Sequence, residues 1–261
     1  MDRLSYLDEG DVDGLVSFIF QRQKENSCFA AAPSLPATVA DTCYALTMVR
    51  QLDSLSPKRR LFSRINREKI HAFVAAHVPV RTSLPLRVRF FLWSISRLVA
   101  GEAADYEDPC DDLEPSILTF ENYYYLGRLA GELRQGFRVE PLRLADCTCR
   151  DLYFFLLSFP EAAAARAREL GGWLQNCWNY DGGFGFFPGT TSYIEYCDYS
   201  LSALSLLNMR PLHCRQAQQY ILACRTGAGG FSRSTKAAPF LDASCHALHA
   251  LECLWKWKQQ G

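Results

Sequence analysis

Two glycine pairs, Gly182-Gly183 and Gly229-Gly230, each followed directly by a phenylalanine, constrain this chain more than any other feature. A glycine pair between two apolar segments supplies backbone that residues with a Cβ rarely adopt, so it ends a helix and reverses the chain. Aligned on Phe184 and Phe231, which lie 47 residues apart, the neighbourhoods repeat without gaps. Asp198-Tyr199-Ser200-Leu201-Ser202-Ala203-Leu204 falls where Cys245-His246-Ala247-Leu248-His249-Ala250-Leu251 falls, and Cys177 and Cys224 each stand seven residues before their Phe. Anchoring on Phe29 gives a third and fainter copy, Cys43-Tyr44-Ala45-Leu46-Thr47-Met48-Val49. A period in this range is that of helical hairpins stacked into an array or ring.

Each hairpin has two arms of different character. The arms at 161–175 and 213–223 carry Arg and Gln on one side, whereas those beginning near Asp41, Glu195 and Asp242 are apolar almost all round. The second kind is therefore predicted to be the inner, more buried arm. At the N-terminus, Asp11 and Asp13 are predicted to cap and open an outer helix holding Leu15, Val16, Phe18, Ile19 and Phe20. The loop 27–36 lacks the double glycine, so the first repeat reads as degenerate. Further arms are expected at 70–77, 86–100, from Asn122 onward and at 152–159. The pattern predicts an all-α chain of about ten helices in about five hairpins, forming one domain over 1–261.

Composition excludes several function classes. The 28 basic and 28 acidic residues cancel and are interspersed, so no global field favours nucleic acid. Eleven cysteines, many inside apolar helical stretches and with no signal peptide before them, fit a reducing, cytoplasmic setting. No apolar run reaches the length that a membrane-spanning helix needs.

Three segments between the repeats carry chemistry-bearing residues. The basic stretch 56–69, with Lys58, Arg59, Arg60, Arg64, Arg67 and Lys69, reads as a solvated face or helix lead-in rather than a diphosphate patch. The acidic stretch 105–114 holds Asp105, Glu107, Asp108, Asp111, Asp112 and Glu114 next to prolines, and reads as an exposed linker between halves. Cys147 and Cys149 are too close to form a zinc site unaided and read as small core residues.

At the repeats the chain resembles the prenyltransferase and squalene-cyclase repeat family, whose helical hairpins close into an α-α toroid. GGFGFFPG, followed by an acid and then Tyr199-Ser200-Leu201-Ser202-Ala203-Leu204, is most similar to protein prenyltransferase β subunits. GAGGFS followed by SCHALHALECL resembles the last repeat of such subunits, and the resemblance spans roughly 14–54 and 161–258. It implies an α-α toroid, here a short or incomplete ring of about five hairpins.

The resemblance also implies a chemistry. These transferases hold zinc through an Asp-x-Cys at the start of one inner helix and a His at the start of a later one, and the metal activates a substrate thiolate. Carried over without gaps, the Asp and Cys positions fall on Tyr196 and Asp198, and on Glu195 and Cys197 after a one-residue slip. The His position falls on Ala243, or on Asp242 after the same slip. The loop 189–194 also lacks the basic pair that would grip a diphosphate. Asp41-Thr42-Cys43-Tyr44 does reproduce the family's Asp-x-Cys-Tyr in the first repeat, so Asp41, Cys43 and His246 or His249 form a permuted zinc set. Asp111-Asp112-Leu113-Glu114 is a partial match to a magnesium motif that acts through diphosphate oxygens.

From these elements the candidate catalytic residues are Asp198, Tyr199, Tyr44 and Glu195. Trp93, Tyr123, Tyr124, Tyr125, Phe184 and Phe186 are the candidate lining of an apolar cavity, where aromatic faces would stabilise a developing carbocation. Three readings stay open: a transferase acting on a prenyl diphosphate or similar hydrophobic substrate, with or without a helical-repeat partner subunit; a non-catalytic toroid binding a hydrophobic ligand or partner protein; and a terpene-cyclase-like domain. The absence of an Asp-x-Asp-Asp disfavours the last.

Overall fold

A computed structural model describes residues 7–100, 108, 110–114, 116–131 and 137–259. Asp105 and Glu107 of the acidic stretch lie outside the described residues. The described residues are predominantly helical, and the one sheet among them is a two-residue parallel pairing of β1 (Ile117–Leu118) with β2 (Arg138–Val139). It divides into two compact units, one formed by Met1–Ser116 with Tyr125–Phe137, the other by Ile117–Tyr124 with Arg138–Gly261.

The first unit contains α1 (Glu9–Phe20), α2 (Val39–Leu55), α3 (Arg67–His77), α4 (Leu86–Ala100) and the later part of α5 (Phe120–Ala130). Its first helix starts earlier than expected. Asp8 is the N-cap and accepts from the Asp11 amide, which places Asp11 and Asp13 inside the helix. The basic stretch is largely exposed and leads into α3, as expected, and several of its cations also find partners. Arg59 pairs with Asp13, the Arg64 guanidinium lies 3.6 Å over the Phe20 ring, and Lys69 Nζ donates to the Glu25 carbonyl at 2.6 Å.

The second unit contains α6 (Cys149–Ser158), α7 (Pro160–Ala165), α8 (Ala167–Asn176), α9 (Ile194–Leu206), α10 (Cys214–Ala223) and α11 (Leu241–Gln259). The outer arm expected as one helix over 161–175 is broken at Arg166, whose ψ of 12° leaves the helical region. Inner arms are the buried ones. Helix α9 buries Ile194, Cys197, Asp198, Ser200, Leu201, Ala203 and Leu204, while α10 buries Ala217, Tyr220 and Ile221 alone. Successive repeats are stitched at the same place, since the Cys149 amide donates to the Phe186 carbonyl at 2.8 Å and the Ile194 amide to the Arg233 carbonyl at 2.9 Å.

All three sequence repeats form one turn. Isolated bridges join Gln23 to Phe29, Trp178 to Phe184 and Arg225 to Phe231, and each phenylalanine is buried. Thirteen residues on, a small polar side chain accepts that phenylalanine's amide: Thr42 at 3.0 Å, Cys197 at 3.3 Å and Ser244 at 2.9 Å. Gly182 and Gly229 sit at φ of 95° and 91°, and Ser27 holds the equivalent position at φ 62°. The first repeat thus keeps the geometry without the glycine. Asn26 Oδ1 accepts from the Cys28 amide as Asp181 Oδ1 accepts from the Gly183 amide, so in these two repeats the side chain before the left-handed residue fixes the turn, whereas the third has Ala228 there.

Among the described residues no helix is long and apolar enough to cross a membrane.

Candidate functional site

The second unit brings its polar chemistry together where α9 and α11 pack. Asp198 lies one turn into α9 and is 5% exposed. Its Oδ2 is 2.7 Å from His246 Nδ1, its Oδ1 accepts from Ser202 Oγ at 3.0 Å, and His249 Nδ1 stands 3.8 Å from Oδ2. The last is too long for a hydrogen bond but close enough for charge to act. Burial would push the Asp198 carboxyl up, yet the bond from His246 and the nearby His249 outweigh it and hold the group well below the ordinary carboxylate range. Asp198 is therefore an ionised acceptor, and His246 Nδ1 is its donor. Partial desolvation lowers the value of His249, whose side chain is 45% exposed, and Asp198 raises it; the net shift is upward.

Aromatic rings surround this pair. Tyr199 meets His246 edge-on at 5.3 Å between centroids and lies 5.6 Å from Tyr153 and 6.2 Å from Phe154, both on α6. Tyr124 packs on Phe154 at 5.6 Å, and the Arg150 guanidinium, bonded to Glu121, lies 5.9 Å over Tyr199. Burial first, and then the Asp198 charge, push the Tyr153 phenol up, so it stays a neutral hydroxyl. Cys253 Sγ is 3.6 Å from Ser202 Oγ, and burial raises its thiol to about 11.

Other candidates take different places. Glu195 is half-buried in the first turn of α9, and Tyr123 stacks on Phe159 at 5.0 Å. Phe184 is 1% exposed at its turn, and Phe186 packs on Phe187 and Tyr196. In the first unit, Tyr44 is half-buried, accepts from Arg87 Nη2 at 3.0 Å and packs edge-on against Phe91. Tyr125 stacks on Phe90 at 4.3 Å. The Trp93 ring is covered by the guanidinium groups of Arg97 at 5.6 Å and Arg128 at 5.3 Å.

The permuted zinc set is drawn from both units. Asp41 Oδ2 accepts from Thr38 Oγ1 at 2.6 Å in a helix-cap arrangement, burial pushes the Cys43 thiol up to about 12, and His246 is bonded to Asp198. Zinc needs a thiolate and ring nitrogens aimed at it. Among the described residues no three His, Cys, Asp or Glu side chains stand together as a ligand set.

The acidic stretch corrects an expectation. Asp108 is 1% exposed, not part of an exposed linker, and with Asp112 it grips the equally buried Arg89 of α4. Arg89 Nε donates to Asp108 Oδ2 at 2.7 Å and Nη1 to Asp112 Oδ2 at 2.8 Å. Sequence reasoning missed this pair because the flanking apolar stripe hid Arg89. It also missed Tyr153, Phe154 and Ser202. The i, i+4 spacing of Asp198 and Ser202 and the i, i+3 spacing of His246 and His249 were the available signals, since each places two polar groups on one helix face.

A comparison with curated proteins gave no match. The domain model described as the prenyltransferase alpha-alpha toroid domain matches residues 1–82, 142–213 and 191–259. With those stretches covering most of its length, and with the same hairpin turn built three times, this chain belongs to the prenyltransferase α-α toroid family.

Proposed function

We propose that the chain handles an isoprenoid or similar hydrophobic small molecule against the aromatic face of Tyr153, Phe154 and Tyr199, in the manner of a prenyltransferase β subunit, with His246 as the proton-handling group at its edge. The observation that carries this reading is the short contact between His246 and the buried, ionised Asp198. A carboxylate holding one imidazole nitrogen fixes the ring's tautomer and orientation and supports a positive imidazolium, which is what a general base needs. Substrate would lie on the tyrosine faces, whose quadrupoles favour positive charge developing at a prenyl carbon. No step is routed through zinc or magnesium, because among the candidate ligands Asp41 is bonded to Thr38 and His246 to Asp198.

A second reading, a toroid that binds such a ligand or a partner subunit without reaction, is favoured by the loop 189–194, which carries no Lys or Arg. Titration with a fluorescent prenyl diphosphate analogue tests what both share. Saturable binding that Tyr199→Ala weakens by about tenfold or more is expected, since the loss of a buried aromatic contact is worth that much. Equal binding by both proteins overturns the aromatic face as the site. Release of the prenyl group to a thiol acceptor by wild type, lost in His246→Gln, separates the first reading from the second.

A further inference from the structure

We infer that the first unit carries a separate binding site for the phosphate group of a small phosphorylated molecule, built from Arg50, Arg97 and Arg128 around Trp93. This inference does not rest on the aromatic face of the second unit.

The basis is an imbalance of charge in a neutral chain. Arg59, Arg89, Arg150, Arg166 and Arg233 each pair with a carboxylate. Arg50, Arg97 and Arg128 have no carboxylate partner among the described residues; their neighbours are aromatic rings instead. Arg97 and Arg128 lie over Trp93, and Arg50 lies 5.2 Å over Phe62. Arg50 and Arg97 line a cavity of about 300 Å³ together with Thr47, Trp93, Ser94 and Leu98, with no acid among the described residues of its wall.

Arg50 and Arg97 share one wall and Arg128 lies over the same indole as Arg97; like charges so placed, although exposed and partly screened, repel one another, and an anion offsets that cost. A ring face holds a guanidinium by its flat side and leaves its N–H edge to the ligand, and that edge matches a phosphate in a two-pronged contact. The cavity's volume, at the low end for ligand sites, suits a phosphorylated head group rather than a long chain.

A simpler account holds that the arginines complement helix dipoles, since Arg97 and Arg128 lie in the last turns of α4 and α5. It does not explain Arg50, which lies outside the last turn of α2, nor the convergence of two guanidinium groups on one indole.

Calorimetric titration of the full chain with inorganic phosphate and with pyrophosphate, followed in parallel by tryptophan fluorescence, tests the site. Saturable binding is expected, tighter for pyrophosphate. The Arg50→Gln/Arg97→Gln/Arg128→Gln variant should weaken it by about a hundredfold or more, because each charge-assisted bond contributes roughly tenfold. Trp93→Phe should remove the fluorescence response while heat of binding persists. If the triple variant unfolds at lower temperature, Arg97→Gln alone, at the arginine that both lines the cavity and lies over Trp93, is expected to cost about tenfold and decides the matter. Absence of saturable binding by wild type, or equal affinity in the arginine variants, overturns the inference.

Discussion

Asp108 in the first unit and Asp198 in the second are both buried, at 1% and 5% exposure, yet their partners differ in the property that matters for chemistry. Arg89 keeps its proton at every accessible pH, whereas an imidazole can give its proton up near neutrality. Both carboxylates are held below their ordinary range against the opposing effect of burial, Asp108 by Arg89 and Asp198 by His246 and His249. The first arrangement is a lock that ties Asp108 and Asp112 to α4. The second uses the same physics with a partner able to exchange a proton, and it lies among tyrosines rather than under a loop. Burial of a carboxylate therefore does not by itself mark a site; the acid strength of its partner does.

The largest effect should come from breaking the lock. Arg89→Met leaves Asp108 buried without a counter-charge, which costs about 3–5 kcal/mol. A denaturant titration that finds less than about 1 kcal/mol would show that Asp108 escapes to solvent and that the segment is not locked. Asp198→Asn should cost less, about 1.5–3 kcal/mol near pH 6, because it removes charge-assisted bonds but keeps a polar group of the same shape.

The pH dependence sharpens the contrast. Asp198, lowered from its ordinary 3.8, stabilises the fold above that value and loses its effect as pH falls through the lowered value. His249, raised from 6.5, contributes fully below 6.5 and loses its effect as pH rises through the raised value. Their joint contribution is thus complete between about pH 4 and 6.5 and declines above it. Thermal unfolding across pH 6 to 9 should show that decline in wild type and a flatter profile in Asp198→Asn. The Arg89 lock contributes no slope in that range, so an identical slope in both proteins would remove the pH-dependent contribution assigned to the contact of His249 with Asp198.

The smallest effect calibrates the others against a change without charge. Ser27→Gly relieves a left-handed serine at the position where Gly182 and Gly229 stand, and should stabilise by about 0.5–1 kcal/mol. Destabilisation would mean that the serine side chain contributes to the turn beyond its backbone conformation.

Much of the fold was legible because its information is periodic. The repeat placed the starts of α2, α9 and α11 within two residues of Asp41, Glu195 and Asp242, and the glycine pairs marked the turns. What escaped lacked periodicity. Ser27 adopts a glycine's conformation because Asn26 fixes the turn, and no glycine announces it. Arg166 breaks an alanine-rich segment that carries no stop signal. Arg89 and Asp108 lie 19 residues apart on elements of different kind, so no local spacing joins them. At the site, Asp198 and His246 were each singled out for a different role. Their partnership spans two repeats, 48 residues apart, and depends on which helix faces meet.

Ligand is expected to bind beside the imidazole that Asp198 holds. Nitrogen-15 spectra of histidine-labelled protein, with the His246 signals identified by their loss in His246→Gln, report on that ring directly. Addition of a prenyl diphosphate analogue to saturation should shift the His246 nitrogens in wild type, and the same addition to Asp198→Asn should produce a different pattern because the tautomer is no longer held. His246 signals that stay unmoved at saturation would place the ligand elsewhere and contradict the account.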